Sequence, residues 1–198
     1  MLKLQDNPPI ASPEDLLSSS HSARLPWLVG HTKARCEKVF AQDLLVHSID
    51  YFLPMVPRVT ISGGRKRRGM AALFPSYVFF CGDEPQRAAA LATDRLCQVI
   101  PVRDQARLTT ELAALDRLLR GGMQLELHPF ATIGRRCRIV AGPFAGLEGT
   151  VVQRKDDRLA RLILEVSMLG QGAAVELEAD LLEPVDEGAR SPQRATRR

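Results

Sequence analysis

The pattern of helices and strands changes near Gly121, and this change constrains the fold more than any other feature of the 198-residue chain. Before this point, amphipathic helical segments alternate with apolar strands, which predicts an α+β sandwich of roughly 100 residues. From Gly134 onward the chain reads as five short strands separated by turns. Short strands at such spacing are typical of a small β-barrel. The sequence therefore predicts two domains of different class.

Composition and pattern together divide the chain into five predicted parts. Segments rich in Ser, Pro and charged residues at both ends predict disorder, because they contain too little apolar surface to bury. A short Gly-rich stretch between the two patterned regions predicts a linker. The predicted parts are a disordered arm at 1–24, a first domain at 25–120, a linker at 121–132, a barrel domain at 133–185 and a disordered tail at 186–198.

The first domain contains one strongly β-prone segment, residues 73–81 (LFPSYVFFC). Strict alternation along this segment puts Phe74, Val78 and Phe80 on one face, and Leu73, Tyr77 and Phe79 on the other. A strand that is apolar on both faces is usually covered on both. The remaining predicted elements are strands at 25–29 and 97–102, an extended segment at 51–59, and helices at 35–47, 86–92 and 108–120. Thr32 is a candidate N-cap for the helix at 35–47.

Four consecutive cations, Arg65, Lys66, Arg67 and Arg68, lie between glycines and predict a mobile basic loop. Such a run is often a solvated surface, but it can also bind the phosphates of a nucleic acid. The net charge of the whole chain is only +4, so the position of these cations matters more than the total.

Several classes of protein are excluded by missing patterns. No run of 18 apolar residues is present, and the amino-terminal residues do not form a signal peptide. The four cysteines are widely spaced, which argues against a disulfide framework or a zinc site. No catalytic motif is found among the histidines, serines and glycines. We expect an intracellular protein without enzymatic activity, cofactor or metal.

Two stretches of this sequence resemble one known family. Residues 138–151 (RIVAGPFAGLEGTV) resemble a KOW motif, and residues 166–177 are similar to the same part of the carboxyl-terminal domain of the NusG family. The opening Trp27-Leu28-Val29, the helix, the proline-bearing extended segment, the basic loop and then LFPSYVF occur in the order of the NusG amino-terminal (NGN) domain. The resemblance covers residues 25–185.

The chain departs from the family pattern at three places. Ser76 replaces a glycine in the strand motif, and residues 99–103 lack the usual Phe-Val-Gly. Met168, Leu169 and Gln171 replace Ile, Phe and Arg of the housekeeping pattern at the barrel tip. The long arm before Trp27, Ser76 and the altered barrel tip favour an operon-specific paralogue over the housekeeping factor, which is the alternative.

The resemblance implies a non-enzymatic transcription elongation or antitermination factor, cytoplasmic and monomeric, with an NGN α/β sandwich and a five-stranded SH3-like KOW barrel. An apolar patch of the NGN domain would bind RNA polymerase through Phe74, Pro75, Tyr77 and Phe79. The basic loop would contact polymerase or DNA near the transcription bubble. The barrel would bind NusE, a small-subunit ribosomal protein, or the termination factor Rho through Phe144, Leu147, Met168, Leu169 and Gln171.

Two alternatives are kept beside this interpretation. A KOW-type RNA-binding or ribosome-associated protein would use the barrel alone, and the aromatic residues named above could be ordinary core. Some family paralogues refold the carboxyl-terminal domain as helices that cover the NGN patch. Here the alternation of Leu162, Leu164 and Val166 predicts a strand-built barrel. We expect two domains that are free of each other.

Overall fold

The computed structural model describes residues 7–18, 25–62, 65–128, 134–154 and 159–185, and the account below concerns these residues. The predicted disordered tail at 186–198 lies outside them, as do residues 1–6 and 19–24 of the predicted arm.

The first domain is an α+β sandwich, as predicted. Its five-stranded sheet has the order β1-β3-β6-β2-β7, and every pairing is antiparallel. A separate two-stranded ribbon is formed by β4 and β5. The elements are β1 (Ala11–Ser12), β2 (Trp27–Thr32), α1 (Glu37–Val46), β3 (Tyr51–Phe52), β4 (Met55–Ser62), β5 (Arg65–Ala72), β6 (Tyr77–Cys81), α2 (Glu84–Ala92), β7 (Leu96–Pro101) and α3 (Gln105–Arg120).

Helices cover both faces of this sheet, because the strands alternate apolar residues toward each side. On one face, Phe40 and Leu44 of α1 pack with Val78 and Phe80 of β6. Phe40 can approach β2 closely because Gly30 has no side chain: a Cβ there would lie 3.0 Å from the Phe40 ring. On the other face, the leucines of α3 pack against Trp27, Val29 and Phe79.

Helix α1 begins later than its predicted cap. Thr32 is the last residue of β2 and is buried, so it does not cap the helix, and Cys36 occupies the cap position. The intervening turn contains Arg35 with φ of +63°, which redirects the chain from the strand into the helix.

The predicted disorder of residues 1–24 is wrong for residues 7–18. Ala11 and Ser12 form β1 on the edge of the sheet beside β3, and the amide of Leu53 donates to the Ile10 carbonyl at 2.7 Å. Leu16 is 2% exposed and belongs to the core on the α3 side. The composition of the arm did not predict this order, because only a few of its residues, such as Ala11 and Leu16, are apolar and pack into the core that the rest of the fold forms.

The prediction of a mobile basic loop is also wrong, because its four cations lie in a strand. Arg65 to Arg68 are the first residues of β5, where they pair with the end of β4 from Ser62 to Val59. Only Gly63 and Gly64 separate the two strands, and they lie outside the described residues. The four cations therefore belong to a strand of a β-hairpin and not to a loop.

The predicted two-faced strand at 73–81 is shorter than its apolar run. Strand β6 begins only at Tyr77, after a turn in which the Tyr77 amide donates to the Phe74 carbonyl at 3.2 Å. Because the turn interrupts the alternation, Phe74 faces the α3 side together with Phe79, and not the side of Val78 and Phe80. The predicted faces of the other strand residues, Tyr77, Val78, Phe79 and Phe80, are correct.

The second domain is a small antiparallel β structure built from strands, as predicted. Its strands are β8 (Glu126–His128), β9 (Arg135–Ile139), β10 (Glu148–Arg154), β11 (Leu159–Val166), β12 (Gln171–Glu178) and β13 (Leu182–Pro184), in the order β13-β9-β10-β11-β12-β8. Gly142 and Gly146 have φ of +80° and +88° in the corner between β9 and β10. Glycine adopts a positive φ without strain, which explains why glycines occur in this corner.

Part of the predicted linker belongs to this second domain. Residues 126–128 form β8, which pairs with β12 in the register Ala174–Glu126, Ala173–Leu127 and Gly172–His128. The segment that joins the domains within the described residues is therefore 121–125, and Leu125 is itself 5% exposed. A short, partly buried connection holds the barrel close to the end of α3.

Candidate functional site

The predicted apolar patch is divided by the structure into a buried and an accessible part. Phe74 and Phe79 are 1% and 0% exposed, and their rings meet edge to face with centroids 6.2 Å apart. Pro75 is exposed, and Tyr77 is partly exposed. Phe74 and Phe79 therefore support the patch from inside, while Pro75 and Tyr77 form its surface.

His31 extends this surface, although it belongs to no motif of the sequence. It is the cross-strand partner of Tyr77, and the two rings stack with centroids 5.2 Å apart and an interplanar angle of 26°. Cross-strand ring pairs of this kind hold their side chains in one orientation. A register prediction for β2 and β6 would have been needed to find this pair.

Ser76 stands where the family pattern has glycine, and its backbone conformation explains why glycine suits this position. Its φ is +66°, a conformation that glycine adopts without strain and other residues rarely adopt. Its amide donates to the Glu37 carboxylate at 2.7 Å, and its carbonyl accepts from the Thr32 amide at 2.9 Å. These bonds hold the turn, so Pro75 and Tyr77 are presented by a fixed backbone.

The basic residues lie on the ribbon formed by β4 and β5. Lys66 and Arg68 are exposed, and the side chains of Arg65 and Arg67 lie outside the described part of the structure. Lys66 and Arg68 are the cross-strand partners of Ile61 and Val59, which are 70% and 56% exposed. Partners in an antiparallel pair share a face, so this face of the ribbon is both basic and apolar.

The two domains are not free of each other: the barrel packs on α3. The Glu111 carboxylate of α3 accepts hydrogen bonds from the Ser167 amide at 3.1 Å and the Ser167 hydroxyl at 2.5 Å. The Arg117 guanidinium donates to the carbonyls of Pro143 at 3.0 Å and Ala145 at 3.3 Å. The apolar core is continuous across the contact, since leucines of α3 and of β11 belong to one cluster.

Helix α3 consequently contacts three other parts of the chain. At about 100° per residue, Gln105 and Arg120 lie only about 60° apart around the helix, at its two ends, and Glu111 lies on the other side. The Gln105 side chain bonds both the amide and the carbonyl of Trp27 in the sheet, at 2.7 and 3.0 Å. Arg120 bonds the Glu14 carbonyl of the arm and the Asp116 carboxylate at 2.7 Å. Glu111 bonds the barrel.

The predicted partner-binding residues of the barrel lie largely on this contact. Phe144 and Leu147 are 9% and 8% exposed, and a Cβ on Gly121 would lie 2.4 Å from the Phe144 ring. Leu169 is partly buried against the shared core, whereas Met168 is 36% exposed. The Oε1 atom of Gln171 is buried and has no hydrogen-bond partner among the described residues. In this conformation, α3 covers much of the predicted site.

Two family models match the chain in this order. The model described as "Transcription termination factor nusG" matches residues 25–107, and the KOW motif model matches residues 133–165. The chain belongs to the NusG family. The arm at 7–18 precedes both matched regions, and most of α3 lies between them.

The chain is also similar to solved structures at low sequence identity. The structure described as "Domain interaction in Thermotoga maritima NusG" is 17% identical, over 82% of this chain and 98% of that chain, with a TM-score of 0.45. The MjSpt4:Spt5 complex, conformation B, is 16% identical over 80% of this chain and 96% of that one, with a TM-score of 0.24. The comparison with curated protein sequences found no match.

Membership of the NusG family places the chain among proteins of transcription elongation. Within the described ranges, no helix is long and apolar enough to cross a membrane, and no group of three or more His, Cys, Asp or Glu side chains could hold a metal ion.

Proposed function

We propose that this NusG family protein is a non-enzymatic, cytoplasmic transcription factor that binds RNA polymerase through its first domain and suppresses pausing or termination. The observation that carries the proposal is the rigid surface formed by Pro75, Tyr77 and His31 at the end of the sheet. Stiff rings that are held in place lose little conformational entropy on binding, which is why such residues often anchor protein interfaces.

The structure revises which predicted residues would make direct contact. Phe74 and Phe79 are buried, so in this conformation they act by supporting Tyr77 and the Pro75 turn. The Tyr77 hydroxyl has no hydrogen-bond partner within the described part of the chain, so it is available to a polar group of the polymerase. Binding at this surface would favour the polymerase conformation that it fits best, and thereby reduce the population of paused states.

We further propose that the barrel recruits a second partner, NusE or Rho, and that α3 regulates its access. Phe144 and Leu147 are covered by α3, whereas Met168 is exposed. A partner that needs the covered residues binds only the fraction of molecules in which the barrel has left α3. If that fraction is about 1%, the apparent affinity is reduced about 100-fold.

A pull-down with core RNA polymerase tests the first proposal. Tyr77→Ala removes the partly exposed ring, and Val46→Ala is the matched control because Val46 is 81% exposed on α1. We expect Tyr77→Ala to weaken binding at least tenfold and Val46→Ala to leave it unchanged. Wild-type protein that fails to bind polymerase, but binds RNA tightly, would instead support the alternative of a KOW-type RNA-binding protein.

Transcription in vitro distinguishes the two modes of action. The wild-type protein is added to polymerase on a template with a pause site and a Rho-dependent terminator. Increased readthrough indicates antitermination, and increased termination indicates the housekeeping mode. Unchanged pausing and termination with a polymerase-bound protein would contradict the proposed function.

A further inference from the structure

Positive charge is concentrated on the β4–β5 ribbon and is not neutralised there. The sequence has no acidic residue from 51 to 82, a range with five cations, so the rest of the chain is net acidic. Arg58, Lys66 and Arg68 are exposed, and none of them has a carboxylate partner among the described residues.

The other described cations behave differently. Most of them form ion pairs, as in Lys33–Asp94, Arg87–Glu84, Arg95–Asp43, Arg120–Asp116, Arg138–Glu148 and Arg161–Glu126. Lys38, next to the base of the ribbon, donates to the Met70 carbonyl at 2.5 Å and to Asn7 Oδ1 at 2.7 Å. Arg58, Lys66 and Arg68 are therefore open to an external polyanion.

The same face of the ribbon carries exposed β-branched side chains. Val59 is opposite Arg68, and Ile61 is opposite Lys66. Apolar side chains at 56% and 70% exposure on an isolated ribbon gain free energy if a ligand covers them. The ligand that fits this face is anionic where it meets β5 and offers apolar groups where it meets β4.

We propose that the ribbon binds B-form DNA in the major groove, with Lys66 and Arg68 on the phosphates and Val59 and Ile61 against thymine methyl groups. This inference rests on the proposed function in so far as DNA is the polyanion expected beside a transcription factor. The major groove of B-form DNA is about 12 Å wide and admits a two-stranded β-ribbon. The eight-residue strands give the ribbon a length of about 25 Å.

Two features favour duplex DNA over other nucleic acids. The ribbon sequence at 55–72 contains no aromatic residue, and single-strand binders use aromatic rings on which the bases stack. Double-stranded RNA has a deep and narrow major groove that does not admit such a ribbon. The C5-methyl group of thymine is an apolar contact that the major groove of DNA offers and RNA lacks.

Fluorescence anisotropy of the full chain with short nucleic acids tests the inference. The variant K66Q/R68Q should bind a thymine-containing DNA duplex more weakly than wild type. Its log–log salt slope should be smaller by about 0.9 for each phosphate that the variant no longer neutralises. The matched control R103Q/R135Q removes two exposed cations elsewhere and should behave as wild type. Equally weakened binding by the two variants would overturn the proposal.

The thymine contact is tested by replacing thymine with uracil in the same duplex. Wild type should lose about fourfold in affinity for each methyl group that it buries, and Ile61→Ser should be less sensitive to the replacement. Equal binding of both duplexes by wild type, or tighter binding of an RNA duplex or a single strand, would contradict the inference.

A polymerase pull-down with K66Q/R68Q separates this inference from the proposed function. We expect the variant to retain binding to core polymerase without nucleic acid, because the Tyr77 surface is unchanged. Loss of polymerase binding with unchanged DNA affinity would assign the ribbon to the polymerase and overturn the DNA site. Failure of Tyr77→Ala to affect polymerase binding would contradict only the proposed function.

Discussion

Glu111 and Ser167 form a two-point hydrogen bond between the domains, in which one carboxylate accepts from both the amide and the hydroxyl of a single residue. Ser167 lies in the short 3-10 helix at 167–169, directly before the barrel residues predicted to bind a partner. When these hydrogen bonds are formed, the barrel residues next to Ser167 lie against α3. When they are broken, the same residues can become accessible to a partner.

Glu111→Ala should loosen the packing of the barrel on α3. Hydrogen bonds to a charged acceptor contribute about 1.5–3 kcal/mol, so we expect the docking equilibrium to shift by at least about tenfold. Hydrogen exchange of the Ser167 amide measures the opening. Thr110→Ala, an exposed change on the same helix, is the control, and equal protection in both variants would contradict the role of Glu111.

Gly121→Ala should displace the barrel by a steric effect. The new Cβ would lie 2.4 and 2.6 Å from atoms of the Phe144 ring, so the ring has to move out of the contact. We expect new NMR resonance positions for Phe144 and Leu147. Gly69→Ala is the matched control, because a Cβ there would meet nothing within 4 Å. Unchanged barrel resonances in Gly121→Ala would contradict the packing described above.

Leu16→Ala should destabilise the first domain, although it lies in a segment whose composition predicts disorder. Truncation of a buried leucine costs about 2–5 kcal/mol, and Leu16 is 2% exposed. Leu17→Ala, at a partly buried neighbour, should cost less. Urea unfolding of both variants measures the difference. Equal stability of wild type and Leu16→Ala would show that the arm does not contribute to the core.

Cys81 should be the slowest of the cysteines to react with an alkylating reagent. Burial, assisted by the charge of Asp50, raises the pKa of Cys81 to about 12, so the reactive thiolate is scarce near neutral pH. Cys97 is exposed and should react first. Mass spectrometry after timed alkylation gives the order, and full reaction of Cys81 in denaturant is the control.

The same pKa shift predicts a loss of stability in alkali. The folded pKa lies above the unfolded value of about 8.5, so folding favours the protonated thiol. This contribution is complete below about pH 8.5 and is lost as the pH rises toward the folded pKa of about 12. The free energy of unfolding of wild type should fall more steeply over this range than that of Cys81→Ala. Parallel curves would contradict the assignment.

Much of the fold could be predicted from the sequence, because apolar periodicity reports which side of an element is buried. It located α3 from Leu108, Leu112 and Leu115, and it located the strands of the barrel. It could not locate the turn at Ser76, since a positive φ held by a hydrogen bond from another element has no local signature. The face of Phe74 was therefore predicted wrongly.

The sites were harder to predict, because they depend on contacts between distant residues. The motif identified Tyr77, but it did not identify His31, because His31 lies beside Tyr77 only through the pairing register of β2 and β6. The barrel residues Phe144 and Leu147 were selected as a binding surface, and α3 of the same chain covers them. Glu111 and Ser167 are 56 residues apart, and neither belongs to a motif.

The edge of the first sheet has a consequence for shortened forms of the protein. Strand β1 occupies the outer side of β3, whose backbone groups would otherwise be available to any neighbouring chain. A protein that begins at Leu25, where the family match begins, would leave this edge unpaired and uncover the site of Leu16. We expect such a fragment to self-associate, and we expect residues 7–18 to protect the longer chain from aggregation because they cover this edge.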